Sequence, residues 1–108
     1  MPLYVSHFAY TPETWKNLTR SPQDRTQALE ELARKLGGRL VNLYYAFGEY
    51  DGLVISEVPD DTAAAALAMA AAAAGHVRSI KTTRLFTPAE AVAAMKKAGA
   101  AQLKPPSA

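Results

Sequence analysis

The chain has 108 residues, 49% of them hydrophobic, with no cysteine and a formal charge of +2 from twelve basic and ten acidic side chains. That length fits one domain with its own core, although much of the apolar share is alanine, so burying a sheet face against a second copy would help. The composition excludes disulfides, thiolate catalysis and cysteine-ligated metal sites, and the scattered basic residues form no stripe of the kind that binds nucleic acid.

Met1 to His7 lacks the basic and apolar regions of a signal peptide. Ala63 to Ala74, the most apolar run, is too short and too weakly hydrophobic to span a bilayer. The expectation is a soluble, cytoplasmic protein that does not engage a membrane.

Leu3 to Tyr10 is rich in aromatic and β-branched residues and reads as the first strand. Leu3, Val5, His7 and Ala9 share one face; Tyr4, Ser6, Phe8 and Tyr10 share the other. Neither face is cleanly polar, which predicts a central strand. Thr11-Pro12 then supplies an N-cap and a first helical position. A short helix is predicted near Glu13 to Leu18, and a longer one from a second cap signal at Ser21-Pro22 to Leu36. In the longer piece Leu29, Leu32, Ala33 and Leu36 recur at spacings of three and four, forming one apolar stripe. Trp15 and Leu18 are expected at the end of the core.

Gly37-Gly38 stops that helix. Arg39 to Phe47 reads as the second strand and Leu53 to Val58 as the third, joined by Gly48-Glu49-Tyr50-Asp51-Gly52. Two glycines around an acidic and aromatic centre signal a tight hairpin connection, with both glycines free to take positive φ. Asp60 or Asp61 caps an alanine-rich helix that runs to about Ala74, read as a thin helix lying close to the sheet. His76 to Phe86 is the fourth strand. Thr87-Pro88-Ala89-Glu90 carries a capping box and starts a last helix to about Ala98, ended by Gly99. The predicted domain is 1–99, with 100–108 as a frayed tail.

Strand, helix, strand, strand, helix, strand is the split βαβ pattern. Right-handed crossovers give an α+β, ferredoxin-like fold with strand order 4-1-3-2 and both crossover helices on one face. The other face is left without a cover.

The hairpin and the strand beyond it, Gly48-Glu49-Tyr50-Asp51-Gly52-Leu53-Val54-Ile55-Ser56-Glu57-Val58-Pro59-Asp60-Asp61, resemble the signature of the GYD domain family, whose name matches Gly48, Tyr50 and Asp51. Lys35-Leu36-Gly37-Gly38, Gly75-His76-Val77-Arg78 and Arg84-Leu85-Phe86-Thr87 are similar to the family at matching places, and the match reaches about Met95. The resemblance implies a dimeric α/β barrel, in which two open sheets face each other as a homodimer. It implies no activity, since the family's function is uncharacterised, and carries over no catalytic residues.

If two sheets pair, polar residues on the uncovered face point into a shared interior. His7 and Glu57 are the candidate catalytic pair: an imidazole beside a carboxylate can act as a general base. Tyr44, Asn42, Lys81, Tyr50 and Asp51 are candidate ligand contacts. Each has a plainer role: His7 as a hydrogen-bonded strand histidine, Asp51 as the residue that holds the turn. Tyr44-Tyr45 places one ring on each sheet face. Arg78 and Arg84 are expected to guard an edge strand. His7 and His76 are too far apart along antiparallel strands to share a metal, and no cofactor is expected.

Two readings compete. One is a homodimeric structural or binding module that holds a small hydrophobic molecule. The other, by analogy of fold, is a cofactor-independent monooxygenase or isomerase. The absence of a dense titratable cluster favours the first. A pH-dependent activity lost in His7→Ala, with the dimer intact, would favour the second.

Overall fold

The structure, a computed structural model, describes residues 1–107; Ala108, the end of the expected tail, lies outside them. The elements are β1 (Leu3–Tyr10), α1 (Pro12–Arg20), α2 (Thr26–Lys35), β2 (Arg39–Tyr45), β3 (Gly52–Glu57), α3 (Asp61–Ala73), β4 (Val77–Leu85) and α4 (Pro88–Ala101). The four strands form one antiparallel sheet in the order β2-β3-β1-β4, which is 4-1-3-2 counted from the opposite edge.

One sheet face is covered by helices. Tyr4, Ser6, Phe8 and Tyr10 of β1 and Val54 and Ser56 of β3 are buried there. Ser6 and Thr82 share a hydroxyl hydrogen bond of 2.9 Å across β1 and β4, so the buried polar pair satisfies itself. Helix α2 packs over β2 and α3 over β4. Leu18 of α1 joins the cluster of Phe8, Tyr10 and Val54, and the Trp15 ring stands edge-on to Tyr10 at 5.2 Å.

The caps follow the sequence except at one place. Thr11 accepts from the Thr14 N–H at 3.1 Å, Asp60 from Ala63 at 2.9 Å, and Thr87 and Glu90 complete a reciprocal box. The helix expected from Ser21-Pro22 starts later, at Thr26. Proline lacks the N–H that the turn needs, and Asp24 instead accepts from both the Thr26 N–H, at 2.9 Å, and its hydroxyl, at 2.6 Å. Helix α4 also departs from expectation: it runs through Gly99 to Ala101. One glycine costs a helix about 1 kcal/mol relative to alanine, and the alanines on both sides carry the helix past it. No α4 residue is buried, and the molecule is 60 Å in its longest dimension against 35 and 22 Å in the others.

The hairpin connection is longer than the sequence suggests. β2 ends at Tyr45, and residues 46–51 form the loop. Gly48 has φ +155°. Gly52, expected to need positive φ, has none; its constraint is space. A Cβ there would lie 2.5 Å from Phe8 Cζ and 2.6 Å from the Tyr44 carbonyl oxygen.

Candidate functional site on the open sheet face

Strand register decides which side chains meet. Across the uncovered face, Tyr44 pairs with Leu53, Leu53 with His7, and His7 with Lys81. The next row is Asn42, Ile55, Val5 and Thr83, and the one after it Arg39, Glu57, Leu3 and Leu85. A register shift between Leu40 and Asn42 on β2 puts Asn42 and Tyr44 on this face. With strands about 4.8 Å apart, each four-residue row spans roughly 14 Å.

His7 and Glu57 are therefore not a pair. Glu57 sits opposite Leu3, two rows from His7 and about 13 Å along the sheet at roughly 3.3 Å per residue. Its carboxylate accepts from the Arg39 guanidinium at 3.2 Å. The imidazole that Glu57 was expected to orient meets Tyr50 instead, with ring centroids 5.5 Å apart and planes tilted by 48°. His7 Nδ1 is excluded from solvent and has no hydrogen-bond partner among the described residues. Lys81 and Tyr44, both exposed, flank this centre at the two edge strands. The arrangement is an apolar floor with an imidazole, a phenol and an ammonium group in or beside one row. It suits binding of a small molecule with a polar end better than proton abstraction, because no carboxylate stands behind the imidazole.

Tyr50 and Asp51 divide between two tasks. Tyr50 belongs to the open face through His7. Asp51 Oδ2 accepts from the Tyr10 N–H at 2.8 Å and from the Trp15 indole N–H at 3.2 Å, while its own N–H donates to the Phe8 carbonyl at 2.8 Å. It thus ties the hairpin loop to the end of β1 and to α1, beyond the turn it was expected to hold. Above it, Tyr10 and Tyr45 share a hydroxyl contact of 3.0 Å. Burial first, and then that contact, push the Tyr10 hydroxyl well above the ordinary tyrosine range.

Arg84 is more than an edge guard. It lies 4.7 Å from the Phe86 ring centroid and 5.9 Å from that of Tyr4, and it pairs with Glu90 at 3.3 Å. These contacts tie β4 to the start of α4. Arg78 is exposed. His76 lies neither on the open face nor near His7; its carbonyl accepts from the Thr11 N–H at 3.0 Å. Among the described residues no three His, Cys, Asp or Glu side chains converge as metal ligands.

Three concavities open elsewhere. One, of about 160 Å³, lies under the helices; one, of about 460 Å³, is beside Trp15 and Phe47; one, of about 210 Å³, is near Thr14 and His76. None of the three includes His7, Glu57 or Lys81. The composition had pointed only to the open face, yet the run of alanine in α3 was a legible sign of unfilled volume under the helices.

The family model for the GYD domain matches residues 4–95. The chain belongs to the GYD domain family. In this GYD domain the Gly48 backbone turns the loop, Tyr50 faces His7, and Asp51 ties the hairpin to β1. The crystal structure of TTHA0845 from Thermus thermophilus is similar in fold, with a TM-score of 0.52 at 17% identity over 81% of this chain and 95% of that one. No curated protein matches the sequence. Among the described residues no helix is long and apolar enough to cross a membrane.

Proposed function

We propose that this GYD domain is a homodimeric binding module in which two open sheet faces meet and hold a small hydrophobic molecule against His7, Tyr50, Tyr44 and Lys81. The observation that carries the reading is the uncovered sheet face itself. Its central residues Leu3, Val5, Leu53 and Ile55 are only half-buried in the single chain, and the unpartnered His7 Nδ1 lies among them. Leaving a buried nitrogen without a partner costs about 1–3 kcal/mol, a cost that a bound polar group would relieve.

The area is consistent with help from α4. Four strands and six residues per strand give a face of about 20 Å by 20 Å, or about 400 Å² in projection. A standard interface takes about 800 Å² from each partner. Helix α4 extends from β4 with Val92 and Met95 exposed, three residues apart on one side, and supplies further apolar surface for the second copy.

Sedimentation velocity at micromolar concentration is expected to show a dimer. Ile55→Asp, which places a charge at the centre of the face, should give a folded monomer. A wild-type chain that remains monomeric at tens of micromolar would overturn the proposal.

A further inference from the structure

Between the helices lies a cleft separate from the open face. Helix α2 lies over β2 and α3 over β4, so the two helices straddle the central strands and leave a gap above them. Phe8, Leu29, Leu32, Val54, Leu67 and Ile80 line that gap, a cleft of about 160 Å³ that is open at its mouth. The α3 wall is made of Ala70, Ala71 and Ala74, whose side chains stop at Cβ and cannot fill it. Met69, the one large flexible side chain nearby on α3, is 69% exposed and turned away. An apolar cavity of about 150 Å³ remains dry and accepts a benzene-sized molecule, so this one has room for about six carbon atoms.

The mouth of the cleft has a different character. Tyr10, Arg25 and His76 border both the apolar chamber and a neighbouring polar hollow of about 210 Å³ that reaches Thr14, Asn17 and Gln23. Arg25 forms no ion pair among the described residues. Its guanidinium meets only the neutral Gln23 amide oxygen, at 3.3 Å. The adjacent Asp24 carboxylate is engaged with Thr26. A cation without an ion-pair partner among the described residues thus stands where an apolar cleft meets a polar one, and guanidinium matches a carboxylate in shape and charge.

The geometry points to a binding site for a small amphiphilic monocarboxylate, its tail of about five or six carbons in the cleft and its carboxylate on Arg25. His76 lines the same mouth. A shorter tail leaves part of the cleft empty.

Titration calorimetry and amide NMR on the full chain test this with butanoate, hexanoate, octanoate and 1-hexanol as probes. Affinity should rise about fourfold per methylene from butanoate to hexanoate, with amide shifts at Phe8, Leu67 and Ile80. Hexanoate should bind at least about tenfold more tightly than 1-hexanol, and Arg25→Gln should remove that advantage. Ala71→Phe, which fills the chamber from the α3 side, should abolish binding of both. Circular dichroism checks that each variant is folded; Arg25, at the surface of the cleft, keeps the test open if Ala71→Phe is not. No saturable binding of hexanoate at millimolar concentration would overturn the site. So would binding unchanged in a folded Ala71→Phe. Equal binding of acid and alcohol, unaltered by Arg25→Gln, would overturn the carboxylate assignment. Ile55→Asp, the variant that splits the proposed dimer, should leave hexanoate binding intact, so the two proposals fail separately.

Discussion

Replacing Asp51 by alanine should cost the fold about 2–3 kcal/mol. The carboxylate takes the Tyr10 N–H at 2.8 Å and the Trp15 indole N–H at 3.2 Å. Tyr10 is 8% exposed, so in Asp51→Ala its backbone donor would be left largely out of reach of water. That loss alone is worth about 1–3 kcal/mol, and the more exposed indole bond adds about 0.5–1 kcal/mol. At about 4–8 °C per kcal/mol for a domain near this size, Tm should fall by roughly 10–20 °C. Asp51→Asn keeps an acceptor oxygen and should lose only about 1 kcal/mol, since the bond remains but its charge assistance goes. Thermal unfolding followed by circular dichroism, at one fixed protein concentration because association shifts apparent stability, measures both. An Asp51→Ala variant within about 3 °C of the natural chain would show that the Tyr10 donor finds another partner and would refute the reasoning.

Gly52→Ala should destabilise by at least about 2 kcal/mol in urea unfolding, because one of the two atoms its Cβ would strike is the Tyr44 carbonyl oxygen, which is backbone; Gly48→Ala, with open space around it, should disturb packing nowhere and cost only what its φ imposes. A midpoint for Gly52→Ala equal to the natural one would mean that the hairpin shifts freely. The capping box of α4 should loosen in acid. The Thr87 N–H donating to Glu90, chiefly, holds that carboxyl below its ordinary value of 4.5. A depressed folded pKa contributes stability that is present above pH 4.5 and lost as pH falls through the lower folded value. Protection of the amides at the start of α4, taken relative to their intrinsic exchange rates, should therefore fall below about pH 4.5 in the natural chain. In Glu90→Gln it should not; a parallel acid dependence in that variant would sink the assignment.

The fold was open to reading because its signals are local. Thr11-Pro12, Asp60 and Thr87-Pro88 fix helix starts by their own hydrogen bonds, and alternation in Leu3 to Tyr10 separates the two faces of β1 without reference to any other strand. Register is not local. The pairing of His7 with Lys81 and Leu53, rather than with Glu57, depends on where β3 and β4 meet β1, and alternation alone leaves a strand free to slide by two residues. The Asp51 contact was hidden for the same reason: its partner, Tyr10, is 41 residues away. Helix α2 starts later than Ser21-Pro22 predicts because Asp24 accepts from the Thr26 N–H in a neighbouring turn. The alanines of α3 were read as allowing close approach to the sheet. Helix α3 packs on the edge strand β4, and beside the central strands its small side chains leave a cleft.

That cleft gives α3 a further property. Only Ala64 and Leu67 of α3 are buried; Ala63 packs beside them, and Asp61 accepts a hydrogen bond from the Tyr4 hydroxyl of β1. An alanine helix of 13 residues is marginal in isolation, so α3 depends on a few side chains for its place on the sheet. Its opening displaces little apolar surface, and that sets a low threshold for local unfolding. Hydrogen exchange of the α3 amides is expected to report that opening, and to slow when the cleft is filled.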